Sequence, residues 1–116
     1  MISINSMSPA EAKENFDGIN FIIIDVREKD EFDFVNIKNT IHIPMMTIPN
    51  NLNLLPKEKD IGVLCHHGNR SAQVTAYLKN LGYNAFNITG GIEKWATDVD
   101  ESLPRYNRAF GRIIPF

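Results

Sequence analysis

The chain has 116 residues, 43% hydrophobic and 22% charged, which is enough for one packed domain and not for two. Twelve basic against 14 acidic residues give a net charge of −2, a balance that argues against nucleic-acid binding or an anionic-membrane partner. The longest apolar run, Phe21-Ile22-Ile23-Ile24, is far short of the roughly 18 residues of a membrane span, no signal peptide is recognisable, and the single cysteine, Cys65, excludes an internal disulfide framework and a Cys-rich metal site.

Ser8-Pro9-Ala10-Glu11 predicts a helix start, with Ser8 as cap, Pro9 at the first helical position and Glu11 closing a capping box; Asp17-Gly18 ends the helix. Phe21 to Val26 is a continuous apolar, β-branched run, the pattern of a strand buried on both faces. Glu28 to Val35 is charged, with Phe32 and Val35 spaced along one helical face, so its acidic cluster is expected on a solvated surface. Ile41-His42-Ile43 predicts a short strand closed by Pro44, in which His42 is half-buried rather than catalytic. Thr47 to Leu55 carries only a turn or short-helix signal. Ile61 to Cys65 reads as a second buried strand. Ser71 to Leu81 is the clearest helix, with Ala72, Val74, Leu78 and Leu81 on a core stripe, Tyr77 packing beside them, and Gly82 as the stop. Tyr83 to Ile88 gives another strand, and Gly90-Gly91 leads into a helix anchored in the core by Trp95. The alternation of strands and helices predicts an α/β fold with a mostly parallel sheet. The tail 107–116 mixes arginines with apolar residues and carries no clear assignment.

Cys65 falls at the carboxyl end of a predicted strand, the place where open α/β sheets bind ligands. His66-His67-Gly68-Asn69-Arg70 separates it from the helix that includes Ser71. Gly68 and Asn69 tolerate positive φ, so the loop can curl with its N–H groups inward. Those donors, the helix N-terminus and Arg70 would form an anion cradle that stabilises a thiolate or persulfide on the sulfur. The plainer alternative is a buried cysteine acting as a small hydrophobe. His66 and His67 are adjacent and unsuited to chelating one metal; they either line the pocket mouth or contact solvent. Neither a metal nor a cofactor is implied.

The segment Cys65-His66-His67-Gly68-Asn69-Arg70-Ser71 matches the C-x-x-G-x-R-S loop of single-domain rhodanese-like sulfurtransferases, and the chain resembles that family in ordered motifs from about Ser8 to Tyr106. Asp25-Val26-Arg27 with Glu31-Phe32 is similar to the family's D-V-R-x-x-x-E-[FY] element. Ile43-Pro44 resembles its I-P element, and Thr89-Gly90-Gly91 with Trp95 its G-G-x-x-x-W signature. One departure stands out. Val35-Asn36-Ile37-Lys38-Asn39-Thr40 replaces G-H-I-x-G-A, which predicts a different turn geometry there.

The resemblance implies a rhodanese-like α/β domain over residues 1–106, with about five mostly parallel strands and helices on both faces; the composition and the lone thiol point to a cytoplasmic protein. It further implies a thiosulfate sulfurtransferase in which Cys65 takes sulfane sulfur from a thiosulfate-like donor and passes it to a thiol or cyanide acceptor. Residues 66–71 would bind the donor, while Asp25 and Arg27 would support the site. Two alternatives remain open: a sulfur carrier loaded by a donor protein, and a phosphatase or arsenate-reductase relative. The four residues between Cys65 and Arg70 fit the sulfur-transferring members, whereas the phosphatases have five. Arg70 would either hold the donor's oxygens or brace the loop through a carboxylate. A protein thiol is a possible transient partner, meeting the pocket mouth beside Met45, Met46 and Ile48, residues that would otherwise close the core.

Overall fold

The computed structural model describes residues 5–116. Five parallel strands form one sheet in the order β1-β5-β4-β2-β3. These are β1 (Ser6–Met7), β2 (Phe21–Asp25), β3 (Ile41–His42), β4 (Asp60–Leu64) and β5 (Asn84–Ile88). Four helices connect or cover them: α1 (Pro9–Asn15), α2 (Lys29–Phe34), α3 (Asn69–Asn80) and α4 (Gly91–Asp98). The short β1, which pairs Met7 with Ile88, was not foreseen: two residues carry no period.

Strand pleating sorts the core into two layers. Ile22, Ile24, Val26, Ile61, Val63 and Cys65 face α3, where Val74 and Leu78 meet them. Phe21, Ile23, Leu64 and Ile88 face the other way, onto Ala12 of α1 and Ile92 and Trp95 of α4. The two-sided burial explains why β2 reads as an unbroken apolar run. The predicted capping box of α1 forms, with Glu11 N–H donating to Ser8 Oγ at 3.2 Å and Ser8 N–H to Glu11 Oε1 at 3.2 Å.

Several expectations need correction. Residues Met45–Leu54 form a 3-10 segment kinked at Asn51, longer than the turn or short helix foreseen, and Ile48 is buried in the core layer beneath it while Met46 is 79% exposed. Leu81 and Tyr77 are exposed rather than part of the α3 core stripe, because they follow the outward face of the helix. In the atypical turn, Asn39 adopts φ +68°, the left-handed backbone that a glycine would supply and that asparagine tolerates.

The tail, left unassigned above, is ordered as an antiparallel hairpin of β6 (Tyr106–Ala109) and β7 (Arg112–Pro115). Phe110 and Gly111 turn its tip at φ +53° and +70°. The hairpin makes a sheet of its own and packs Tyr106 and Ile113 against the α1/α4 layer. No helix among the described residues is long and apolar enough to cross a membrane.

Candidate active site

Central strand β4 is paired on both sides and ends at Leu64, so Cys65 leaves the sheet at its carboxyl edge. The residues that follow turn sharply into α3. Gly68 at φ +101° is the residue before the helix, and a Cβ there would lie 3.0 Å from the Gly90 nitrogen. Only glycine suits that backbone and that contact. The thiol is 1% exposed and receives the Gly68 N–H at 3.0 Å. The N–H groups of Asn69, Arg70 and Ser71 precede the first helical bond, from Ala72 N–H to Gly68 O, so the start of α3 adds a positive dipole end beside the sulfur.

The opposite side of the loop is tied down by α4. Ile92 N–H donates to Cys65 O at 2.8 Å and Glu93 N–H to His66 O at 3.1 Å. Gly91, at φ +62°, makes this approach possible: a Cβ on it would overlap the carbonyls of Cys65 and His66. The G-G-x-x-x-W element thus acts on the active loop directly. With its Cys65 and His66 carbonyls engaged by α4, the loop presents the Gly68 N–H to the sulfur.

Ser71 Oγ lies 3.2 Å from Cys65 Sγ and donates to Asn87 Oδ1 at 2.6 Å. A hydroxyl has one proton, so while Ser71 gives it to Asn87 the thiol must be the donor between sulfur and oxygen. Asn87 Nδ2 also reaches Gly68 O at 3.3 Å, linking β5 to the loop. Asn87 is a site-supporting residue that the sequence reading missed; only its place two residues before the Thr89-Gly90-Gly91 element could have drawn attention to it.

His66 and His67 part company. His67 is exposed at the mouth, while His66 is buried with its ring stacked on Tyr106 at 4.0 Å and its Nε2 3.0 Å from Tyr106 O. A carbonyl only accepts, so Nε2 carries the proton. Burial, reinforced by the neighbouring His67, holds His66 down to about 4, and the ring is neutral near pH 7. His66 is therefore a prop for the hairpin as well as a wall of the pocket.

Arg27 is fully buried and saturated. Its Nε and Nη2 donate to Asp25 at 3.0 and 2.7 Å, and its other protons to Val35 O, Glu31 O and Tyr106 OH. Asp25 and Arg27 touch the fold around the pocket and not the sulfur. The acidic cluster of α2, expected on a solvated face, contains a fully buried member: Glu31 is 0% exposed. It accepts both terminal nitrogens of Arg70 at 2.7 and 2.9 Å and the Tyr106 hydroxyl at 2.7 Å. Burial would raise its pKa, but Arg70 and Tyr106 outweigh that and hold the carboxyl down to about 2. The spacing in Asp25-Val26-Arg27-x-x-x-Glu31 was the available signal for this role. Arg70 accordingly shows the geometry of a brace.

The pocket above the sulfur has a volume of about 370 Å³ and is lined by Cys65, His66, His67, Asn69, Arg70 and Arg108. Met45, Met46 and Ile48 do not border it. They line a separate apolar groove of about 250 Å³ with Pro49, Val74 and Tyr77. A larger hollow of about 570 Å³, among Lys13, Asn39, Trp95 and Asp100, is lined by no cysteine, serine or threonine. Arg108, from the hairpin, was not anticipated at the site at all.

A family model for the rhodanese-like domain matches residues 8–98. The chain belongs to the rhodanese-like sulfurtransferase family. It is 34% identical over 95 residues to YtwF of Bacillus subtilis, named as a candidate sulfurtransferase, covering 81% of this chain and 92% of that one. It is 35% identical over 86 residues to the adenylyltransferase and sulfurtransferase uba4 of Ogataea parapolymorpha, covering 72% of this chain and 22% of that protein. The chain thus spans about a fifth of that relative. A crystal structure of a rhodanese-like domain protein from Staphylococcus aureus superposes with a TM-score of 0.76 at 35% identity, covering 90% of this chain and 100% of that one. The five-stranded parallel sheet is the fold of these neighbours. Hairpin strand β7 and Arg108 lie beyond the segment that the family model matches.

Proposed function

We propose that this rhodanese-like domain carries sulfur as a persulfide on Cys65, taken from an anionic sulfane-sulfur donor such as thiosulfate. The observation that carries the reading is the Cys65 sulfur held by the Gly68 N–H at the floor of a pocket that also presents two guanidinium groups, Arg70 and Arg108. Cys65 thiolate attacks the outer sulfur of thiosulfate. The new S–S bond forms as the donor's S–S bond breaks, and sulfite leaves with the electron pair. The terminal sulfur then bears the negative charge, which the loop N–H groups and the start of α3 stabilise without rearrangement. An acceptor nucleophile, cyanide or a thiol, takes that sulfur and regenerates the thiolate.

Cys65 is the single cysteine, so no internal thiol can resolve the persulfide and turnover depends on an external acceptor. A protein thiol as acceptor or donor is supported by the exposed Met46 and Tyr77 on the neighbouring apolar groove and by relatives that join this kind of domain to an adenylyltransferase. A reduced thiol of this kind suits a reducing compartment, the cytoplasm.

The test is mass spectrometry of the whole protein before and after thiosulfate. One added sulfur on Cys65, removed by cyanide or a thiol, is the expected result. Cys65→Ser should remain folded and gain no sulfur. Transfer by that variant above a no-enzyme control would end the assignment.

A further inference from the structure

Arg70 was the natural candidate for holding the oxygens of a donor, but both of its terminal nitrogens are engaged by Glu31 at 2.7 and 2.9 Å. That edge of the guanidinium is closed to a ligand. Arg108 is placed differently. It reaches the pocket from the hairpin and engages acidic groups through Nη1 only, with Asp30 Oδ1 at 3.0 Å and Glu31 Oε1 at 3.1 Å. Its Nε and Nη2 have no partner among the described residues, and these two donors form an edge able to grip two oxygens of one oxyanion. The side chains of Arg108 and Asp30 are 31% and 47% exposed, so their pairing is wet and exchangeable. The Arg70–Glu31 pair, with a fully buried carboxylate, is not.

We infer that Arg108 is the oxyanion-binding residue of this pocket and that Asp30, by neutralising part of its charge, weakens its hold on the sulfur donor. The inference rests on the proposed sulfur transfer for its substrate, but it assigns a site of its own. The ligand class is a small donor with an anionic, oxygen-bearing head, sulfonate-like or carboxylate. While the head sits on Arg108, the sulfane sulfur points down to Cys65, and the departing oxyanion leaves from the mouth rather than through the loop. Arg108 lies beyond residues 8–98, the segment that the family model matches, so this role in donor choice falls to the hairpin and not to the matched core.

Two variants of one ion pair separate this from a purely structural latch. Arg108→Ala removes the binding group, whereas Asp30→Asn removes the neutralising charge and leaves Arg108 beside Glu31. If Arg108 binds the anion, the two move donor affinity in opposite directions. If the pair merely fastens the hairpin, both weaken it. The first measurement is the KM for thiosulfate with cyanide as acceptor. Arg108→Ala should raise it about tenfold, as for loss of a charge-assisted bidentate contact. Asp30→Asn should lower it about two- to threefold, the scale of an exposed ion pair. Arg108→Lys, which keeps the charge but not the fork, should fall between Arg108→Ala and the wild type.

The second measurement needs no sulfur chemistry. Iodoacetate and iodoacetamide alkylate Cys65 by the same reaction and differ in charge, so the ratio of their rates reads anion capture alone. The ratio should fall about fivefold in Arg108→Ala and rise in Asp30→Asn, with iodoacetamide little changed in either. A ratio unmoved by Arg108→Ala, or a fall in both variants, overturns the inference. Should thiosulfate fail to load sulfur on the wild type while the alkylation ratio shifts as stated, the sulfur-donor reading fails and the anion site stands. Sulfur loading with an unmoved ratio gives the converse.

Discussion

The two walls of the Cys65 pocket are held by different parts of the chain. On one side, residues 65–71 are fixed through the main chain: the Cys65 and His66 carbonyls accept from α4, Gly68 packs on Gly90, and the Gly68 N–H meets the sulfur. On the other side, the hairpin is fixed by side chains, through Tyr106 on Glu31 and Arg27, His66 under Tyr106, and Arg108 on Asp30 and Glu31. A wall made of backbone donors offers the same cradle whatever the neighbouring side chains are. A wall made of side chains can be retuned one residue at a time. In the proposed reaction, sulfur handling falls to the first wall and, by the inference above, discrimination among donors to the second.

Gly91→Ala should strike the main-chain wall hardest. Its Cβ would overlap two carbonyls that cannot swing aside, at a positive φ, so a loss of roughly 3–4 kcal/mol is expected. Urea denaturation would register it, together with loss of sulfur transfer. A stable and active Gly91→Ala would mean that α4 does not set the loop.

The side-chain wall should be the acid-sensitive one. His66 is held at about 4 in the folded protein against 6.5 for a free ring, so between those values the unfolded chain binds a proton that the folded one does not. Stability should then decline as pH falls from 6.5 toward 4, by up to about 3 kcal/mol from this group. Glu31, lowered to about 2 from 4.5, adds a further loss as pH falls from 4.5 toward 2. Chemical denaturation across pH should show the upper window flattened in His66→Phe and the lower one retained.

Arg70→Ala addresses the seam between the walls. Removing it strips the main cation from a buried carboxylate, although Tyr106 and Arg108 still touch Glu31, so a cost of about 2 kcal/mol is expected. As a brace, it should slow sulfur uptake from thiosulfate and alkylation by neutral iodoacetamide alike. A loss confined to thiosulfate would instead give Arg70 the anion.

The smallest effect is expected at the hairpin tip. Phe110 is fully exposed at φ +53°, a backbone that asparagine adopts more readily, and Asn-Gly is the favoured pair for such a turn. Phe110→Asn should raise the melting temperature slightly, a gain of about 0.5–1 kcal/mol. A loss of stability would show that the ring is held by contacts in the folded chain.

The same contrast explains what could be read from the sequence. The loop was legible because its chemistry needs fixed residue types at fixed spacing: a cysteine at a strand end, a glycine where φ must be positive, an arginine and serine opening the helix. Strands β2 and β4 were legible because burial on both faces leaves an apolar run. Glu31 was misread because a six-residue helix carries too little periodicity to tell its buried position from its exposed ones. The hairpin was missed because Phe-Gly stands where a turn signal such as Asn-Gly would reveal it, and its arginines alternate with residues that bury little. Arg108 reaches the site only through pairings with Asp30 and Glu31, some 78 residues away along the chain, and local pattern carries no trace of them.

The hairpin is also a two-stranded sheet joined to no other strand, whereas β4 lies between two neighbours. A lone two-stranded ribbon is marginal by itself, so this hairpin stays folded through its side chains: Tyr106 is 1% exposed and bonded to Arg27 and Glu31, and Ile113 packs on the α1/α4 layer. Losing any one of those contacts should loosen the hairpin first and leave β4, with the backbone that carries Cys65, in place.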